Sequence, residues 1–239
     1  MLMGGGQYGK KENNSSNTGQ GGSRRIPHKN IINFGGKPLI QWTLEAATEA
    51  CLFDRIFIST DDEEIAGVAQ KFGVPVPFLR DKYGDDSSPS SLATIYALSQ
   101  IEKHLNEEYD TVIQLMPNCP LRKAEHIVEA YRNFLCKKAN FQISCFKFGW
   151  MNPWLAVKLD QDLRPTRLFP QKWERPGERE PLYCPTGAIW IARVPQLKRA
   201  NTFYGEGHIF YPLDWKAAID IDTYEDLEMA RALLERKEE

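Results

Sequence analysis

The sequence predicts an α/β protein with a doubly wound, mostly parallel β-sheet. Short apolar segments, of the kind that parallel sheets bury, alternate along the chain with longer segments whose apolar residues recur at helical spacing. Polar or proline-containing loops follow the predicted strands. In such folds ligands bind beyond the carboxyl ends of the strands, so we expect the functional site in these loops.

The predicted elements alternate regularly. The first helix covers residues 38–50, where apolar or small side chains recur at Leu39, Trp42, Ala46 and Ala50. The strands are predicted at 55–59, 74–79, 111–115, 142–147, 154–159 and 188–192, and the other helices at 61–72, 90–105, 124–137 and 224–236. Asp61 and Glu64 form a capping-box pattern before the second helix, although Asp61 also follows a strand end, where a metal ligand is possible.

The composition excludes several classes of protein. The chain has 239 residues, is 42% hydrophobic and carries a formal net charge of −2, so it can bury a sizeable core but has no basic half for nucleic-acid binding. No segment is long and apolar enough for a membrane span or a secretory leader, which predicts a cytoplasmic protein. The five cysteines are widely spaced, which favours reduced thiols.

Three regions differ in character. Residues 1–20 are rich in Gly, Asn and Ser, and we expect them to be disordered. Residues 21–239 are expected to form the functional domain. Within it, residues 141–182 are expected to protrude as a lobe with strand-like segments and several aromatic residues, which need burial against a partner subunit or in a local core of their own.

A glycine-rich basic run extends from Gly21 to Asn30. Glycines allow backbone amides to approach anionic oxygens, and Arg24, Arg25 and Lys29 can neutralise the charge of a polyphosphate. Such a run is also common in solvated loops.

Two aspartates near the other end of the chain complement this run. Strand-like alternation over residues 218–222 places Asp220 and Asp222 on one face, as a divalent cation that bridges phosphates requires. An Asp-x-Asp pair can equally mark a strand end that caps the next helix. Together, the two motifs suggest nucleotidyl transfer.

Further strings resemble a known family in the same order along the chain. They are GGSRRIPHKNI, FGGKPLIQWTLEAA, STDDEEIAGVA, VPFLRD, MPNCPLR, YCPTGAIWIA and DIDTYEDLE. From residue 21 onward the chain resembles the acylneuraminate cytidylyltransferases (CMP-sialic acid synthetases), with their legionaminic and pseudaminic acid relatives. The resemblance implies a Rossmann-like nucleotidyltransferase fold with a protruding dimerisation lobe.

The resemblance also implies an activity: coupling CTP to a nonulosonic-type acidic sugar, with release of pyrophosphate, by a magnesium-dependent homodimer. It implies that Gly22, Ser23, Arg24 and Lys29 hold the triphosphate, that Asn30 lies near the nucleotide, and that Arg80 contacts the cytosine. It implies that Asp220 and Asp222 bind Mg²⁺. Arg24, Lys29 and Asp222 are the expected catalytic residues. Without the resemblance, Arg80 reads as a surface arginine paired with Asp81 or Asp85.

The sugar site is less defined. Arg175 and the turn Thr186-Gly187 are candidates for holding the sugar carboxylate, and Gln114 and Asn118 for further sugar contacts. Arg122 is a further possibility, although arginines at helix starts are commonly solvated. Cys119 is expected to fill space, because no histidine stands nearby in the sequence to activate it.

The chain departs from the family pattern in places. Asn14 to Gln20 stands where the family carries an apolar strand and an Ala-Arg-x-x-Ser loop. Three explanations are open: the start of the chain is not the native one, the segment inserts into the sheet despite its polar composition, or the protein is compromised. Met116 replaces the glutamine usual in sialic-acid enzymes, which indicates a different sugar. Two alternatives remain open: a non-catalytic, nucleotide-binding paralogue, and a sugar-phosphate nucleotidyltransferase that uses another base.

Overall fold

A computed structural model describes residues 2–5, 26–83, 89–169 and 180–235. The strands are β1 (Leu2–Gly5), β2 (Asn33–Phe34), β3 (Lys37–Pro38), β4 (Ile56–Ser59), β5 (Thr111–Gln114), β6 (Phe141–Lys147), β7 (Val157–Leu159), β8 (Pro165–Arg167), β9 (Tyr183–Arg193) and β10 (Ile209–Leu213). The helices are α1 (Leu39–Glu49), α2 (Glu63–Lys71), α3 (Ser90–Leu105), α4 (Ala124–Cys136), α5 (Val194–Ala200) and α6 (Tyr224–Glu235), with 3₁₀ turns η1 (Lys29–Ile31) and η2 (Pro153–Leu155).

The central sheet has the strand order β10-β6-β9-β5-β1-β4. β1 pairs in parallel with β4 and β5, and β10 pairs in parallel with β6, whereas β9 is antiparallel to both of its neighbours. All strands of this sheet except β9 therefore point in one direction. The predicted α/β fold with a mostly parallel sheet is confirmed.

Helices cover both faces of this sheet. On one face Ile113 of β5 packs in a core with residues of α1 and α4. On the other face the neighbouring residue Val112 packs with residues of α3 and α5. Adjacent strand residues thus enter opposite cores, as the side-chain alternation of a strand buried on both faces requires. None of the helices in the described ranges is long and apolar enough to cross a membrane.

The beginning of the chain differs from the sequence-based expectation. Residues 1–20 were expected to be disordered, but β1 lies inside the sheet, where Leu2 is in register with Ile56 of β4 and Ile113 of β5. A strand between β4 and β5 must offer backbone hydrogen-bond donors and acceptors to both neighbours. The main chain of any four residues can do so, whatever their side chains. Residues 6–25, including the segment Asn14 to Gln20, lie outside the described part.

The boundaries of the lobe also change. β6 was assigned to the lobe but belongs to the central sheet, so the part that leaves the sheet starts after Lys147. In this part β7 and β8 form a two-stranded antiparallel hairpin whose residues are all exposed. Trp154 and Phe169 meet edge to face at 5.1 Å, which is a small local contact.

Other elements also differ from the predictions. The segment 74–79 forms no strand and is joined to β4 by a bond from the Ile58 amide to the Pro75 carbonyl. Helix α5 and strand β10 were not predicted, because α5 is only seven residues long and β10 contains Pro212, which is unusual within a sheet.

Candidate active site

Three segments meet beyond the carboxyl end of β5. The amide of Met116 donates to the carbonyl of Gly187 in β9 at 3.3 Å, and the amide of Ile221 donates to the carbonyl of Asn118 at 2.9 Å. The chain after β5, the first half of β9 and the segment before α6 are therefore tied together. This is the edge of the sheet where a doubly wound fold binds its ligands.

The two aspartates lie on the segment 218–222. This segment is not a strand, contrary to the prediction, but the predicted alternation holds: Ile219 and Ile221 are buried in a core with Leu227 of α6, whereas Asp222 is exposed. The buried isoleucines anchor the segment. The carboxylates of Asp220 and Asp222 lie outside this apolar core.

Asp220 is the more enclosed of the two carboxylates. Its Oδ1 accepts a hydrogen bond from Nδ2 of Asn118. Burial, and then the negative charge of Asp222, raise the pKa of Asp220 to about 7. A carboxylate in such surroundings is unfavourable by itself and gains from a bound cation.

Lys29 joins the two ends of the chain at this point. Its Nζ lies 2.5 Å from Oδ1 of Asp222, although 193 residues separate them, and its side chain is only 16% exposed. Asp226 at the start of α6 fixes the loop around Asp222, because its Oδ2 accepts from the amides of Asp222 and Thr223 at 3.0 and 2.8 Å. The basic run and the aspartate pair thus meet in one place.

The other residues predicted to bind the nucleotide are described in part. Asn30 is buried within η1, which packs against α1 and α2. Gly22, Ser23, Arg24 and Arg175, which were predicted to bind the triphosphate or the sugar, lie outside the described residues.

Arg80 is buried rather than exposed on the surface. Its side chain is 1% exposed, and its Nη2 lies 3.3 Å from Oδ1 of Asp61. The reading of Arg80 as a surface residue paired with Asp81 or Asp85 is therefore wrong. So is the capping role of Asp61, because Asp62 caps α2: its Oδ1 accepts from the amides of Glu64 and Ile65.

Gln114 and Thr186 are buried beneath the edge of the sheet that carries the two aspartates. Gln114 is buried, its Oε1 accepts from the hydroxyl of Thr94, and its Nε2 lies 3.6 Å from the sulfur of Met116. The hydroxyl of Thr186 donates to the Ala218 carbonyl at 3.0 Å. Thr186 therefore anchors the aspartate segment.

Met116 and Gly187 lie closer to Asp220. A methyl group placed on Gly187 would lie 2.8 Å from Cγ of Met116 and 4.0 Å from Oδ2 of Asp220. Met116 and Asp220 therefore both lie next to the position that a side chain at residue 187 would occupy. The sequence pointed to Gly187 but did not predict that Met116 packs on it.

Arg122 is also buried, so the reading of a solvated arginine is wrong. Its Nη1 donates to the carbonyls of Met116 and Ala188 at 3.1 and 2.7 Å, and its Nη2 donates to the hydroxyl of Thr43 at 2.7 Å. Burial lowers its pKa to about 10. Arg122 thus holds β9, the chain after β5 and α1 together beneath the site.

The donors at this edge fit a hard divalent cation. Asp220 and Asp222 offer carboxylate oxygens, the ligands that Mg²⁺ prefers, with Asn118 beside them. Within the described ranges, His, Cys, Asp and Glu side chains form no group of three or more that could hold a metal. Magnesium commonly needs only one or two protein carboxylates when substrate phosphates complete its coordination.

Comparison with known proteins identifies the family. The model of the family described as cytidylyltransferase matches residues 20–149. The chain belongs to the cytidylyltransferase family. This assignment confirms the resemblance found in the sequence, and with it the prediction that the protein is an enzyme.

Relatives of this cytidylyltransferase cover nearly its whole length. The pseudaminic acid cytidylyltransferase of Campylobacter jejuni is 32% identical over 216 residues, 90% of this chain and 92% of the relative. The CMP-N,N'-diacetyllegionaminic acid synthase of Legionella pneumophila is 31% identical over 224 residues, 91% and 94% of the two chains. Among solved structures, CMP:2-keto-3-deoxy-manno-octonic acid synthetase complexed with CTP aligns with a TM-score of 0.66 and 18% identity over 90% of this chain and 95% of its own. That alignment supports the fold.

Proposed function

We propose that this cytidylyltransferase couples CTP to a nonulosonic acid of the pseudaminic or legionaminic kind. In the reaction the anomeric oxygen of the sugar forms a bond to the α-phosphorus of CTP. The bond from that phosphorus to the bridging oxygen of pyrophosphate breaks, and the sugar hydroxyl gives its proton to solvent. The products are the CMP-sugar and pyrophosphate, and we place the reaction in the cytoplasm.

The contact between Lys29 and Asp222 is the observation that carries this proposal. It brings a cation from the predicted phosphate loop to the aspartate pair. A nucleoside triphosphate needs both, because its phosphates require cations and its metal requires carboxylates. The names of the two relatives support the choice of nucleotide and sugar class.

The described residues take distinct parts in the mechanism. Lys29 is proposed to bind a phosphate oxygen and to stabilise the charge that develops on the leaving pyrophosphate. Arg80 is proposed to contact the cytosine, and Asn30 to lie beside the nucleotide. For residues outside the described ranges, we keep the proposals that Gly22, Ser23 and Arg24 hold the triphosphate and that Arg175 contacts the sugar carboxylate.

Asp220 and Asp222 are proposed to hold Mg²⁺. When bound, the ion supplies Lewis acidity that makes the α-phosphorus more electrophilic. Asn118 keeps the Asp220 carboxylate in place through its amide. Gly187 is proposed to lie beside the acceptor sugar next to Asp220, at a position where any side chain would press on Met116. Gln114 and Thr186 are proposed to shape the sugar pocket from beneath.

We also propose that two copies form a dimer through the lobe. Large apolar side chains after β6 are exposed: Trp150 by 85%, Leu163 by 74%, Met151 by 66% and Leu159 by 59%. The local contact between Trp154 and Phe169 leaves these four uncovered, and a second copy would cover them. Sedimentation should show a dimer that Trp150→Glu weakens. A wild-type monomer would reject the proposed dimer.

The test of the activity is a panel of nucleotides and sugars with pyrophosphate release as the readout. We expect turnover with CTP, Mg²⁺ and a pseudaminic or legionaminic acid. A strong preference for UTP or GTP would indicate a sugar-phosphate nucleotidyltransferase. CTP binding without turnover on any acidic sugar would favour a non-catalytic, nucleotide-binding paralogue.

The metal site is tested by two substitutions that keep the side-chain shape. Asp222→Asn and Asp220→Asn should each lower turnover by about 10² or more, because the metal loses a charged ligand. Glu228→Gln, on the exposed face of α6, is the matched control and should retain full activity. Retained turnover in both aspartate variants would reject the metal assignment.

A further inference from the structure

Two neighbouring residues hold Arg80 at both of its ends. The Arg80 amide donates to the carbonyl of Thr60 at 2.7 Å, just after β4. At the far end of the side chain, Nη2 lies 3.3 Å from Oδ1 of Asp61. The backbone of Arg80 is thus bound to Thr60 and its guanidinium to Asp61, two consecutive residues. This arrangement restricts the orientations open to Arg80.

Among the described residues, Arg80 is the side chain that the Asp61 carboxylate contacts. Helix α2 is capped by Asp62, so α2 does not need Asp61. The Asp61 side chain is 28% exposed, whereas that of Arg80 is 1% exposed. Asp61 therefore lies between solvent and a buried guanidinium, just beyond the carboxyl end of β4, an edge strand of the sheet.

The charges of the pair depend on each other. Burial lowers the pKa of Arg80, and the negative charge of Asp61 opposes that shift. Burial raises the pKa of Asp61, and the positive charge of Arg80 opposes this rise. Asp62 adds a like charge next to Asp61. A buried charge is costly to leave without its partner, so removal of either residue should affect the position of the other.

We propose that Asp61 is a positioning residue for nucleobase selection, which holds the guanidinium of Arg80 in one orientation against the acceptor edge of cytosine. The proposal rests on the proposed contact between Arg80 and the base. A guanidinium has donors only. Cytosine presents acceptors at O2 and N3, whereas uracil has an N–H donor at position 3.

The fixed orientation is what makes the pair selective. A guanidinium held against both N3 and O2 rejects uracil, because two donors would face each other without an acceptor. A guanidinium that is free to turn can bind O2 alone, which both bases share. Asp61 would therefore set the preference for CTP over UTP without touching the base.

The central experiment compares Asp61→Asn with the wild-type enzyme, using kcat and KM for CTP and for UTP. We expect KM for CTP to rise about tenfold with kcat within about threefold, and the preference for CTP over UTP to fall about tenfold. Asp62→Ala is the matched control, because it removes the cap of α2 but not the contact with Arg80. It should lower the melting temperature and leave the nucleotide preference unchanged. An equal loss of preference in both variants would overturn the proposal.

Arg80→Lys separates this inference from the proposed function. If Arg80→Lys changes neither CTP affinity nor nucleotide preference, the proposed contact of Arg80 with cytosine is wrong. If Arg80→Lys weakens CTP binding and relaxes the preference while Asp61→Asn changes neither, only the role of Asp61 is wrong. In the double variant, Asp61→Asn should have no further effect on the preference.

A second variant covers the case in which Asp61→Asn does not fold. Asp61→Glu keeps the charge but moves it by one methylene, so it should shift the guanidinium and lower the preference for CTP. Near-ultraviolet circular dichroism establishes that the variant is folded. An unchanged preference in folded Asp61→Glu would then count against the proposal.

Discussion

The ammonium group of Lys29 lies 2.5 Å from the carboxylate of Asp222, the residue proposed to bind magnesium. In the structure, the lysine therefore neutralises a carboxylate that the metal would use. Mg²⁺ by itself must compete with Lys29 for Asp222. A nucleotide can resolve this competition, because its phosphates offer the ammonium group another anion.

Lys29→Met should therefore have opposite effects on the two ligands. Binding of Mg²⁺ alone should become about tenfold tighter, because the competing cation is gone, whereas binding of CTP with Mg²⁺ should weaken about tenfold or more. Isothermal titration calorimetry measures both. Lys216→Met, at an exposed position in the loop before the aspartates, is the control and should change neither. Weaker binding of Mg²⁺ alone by Lys29→Met would contradict the competition.

Gly187→Ala should affect the sugar and not the nucleotide. The added methyl group would lie 2.8 Å from Cγ of Met116, so the methionine must move, while 4.0 Å to Asp220 is an ordinary contact. We expect KM for the sugar to rise about tenfold with KM for CTP unchanged. Gly67→Ala in α2 meets no atom within 4 Å and serves as the control. Equal changes in both KM values would contradict a role of Gly187 that is specific to the sugar.

Arg122→Met should destabilise the protein. It leaves the carbonyls of Met116 and Ala188 and the hydroxyl of Thr43 without their buried donor. The free energy of unfolding should fall by about 3 kcal/mol, as for loss of other buried hydrogen-bonded charges. Urea denaturation measures this value. Arg132→Met, at an exposed position of α4, should change it by less than about 0.5 kcal/mol. Similar losses in both variants would contradict a structural role for Arg122.

Cys119 should not react in the folded protein. The thiol is fully buried, and burial raises its pKa well above the ordinary value, which confirms the expectation that it fills space. Maleimide should label the exposed Cys51 and Cys136 while activity is retained, and label Cys119 only in urea. Peptide mass spectrometry identifies the sites. Labelling of native Cys119 in step with loss of activity would show that this thiol is accessible after all.

The features predictable from the sequence were those with a strong local pattern. Helical spacing located α1, α3, α4 and α6 to within a few residues. The glycine-rich basic run and the Asp-x-Asp motif pointed to Lys29 and Asp222, and the tertiary fold brings these two residues into contact. The alternation at Ile219 and Ile221 was right although the segment is not a strand, because burial of every second residue needs only an extended backbone.

The features that could not be predicted depend on tertiary contacts. Asp61 was predicted to cap α2, but Asp61 pairs with Arg80 and the neighbouring Asp62 caps the helix, which only the packed structure reveals. The burial of Arg122 depends on carbonyls contributed by β9, far away in the sequence. β1 has no local strand pattern beyond Leu2 and Met3. It forms because it pairs in parallel with β4 on one side and β5 on the other.

The position of β1 bears on how the protein folds during its synthesis. Leu2 is translated before its partner Ile113 of β5, so it cannot pair with β5 until more than a hundred further residues have been translated. β5 in turn needs β9, whose residue Trp190 is in register with Gln114. The nascent chain therefore exposes an unfinished sheet until β9 has been translated, and chaperones bind such exposed, incompletely folded segments.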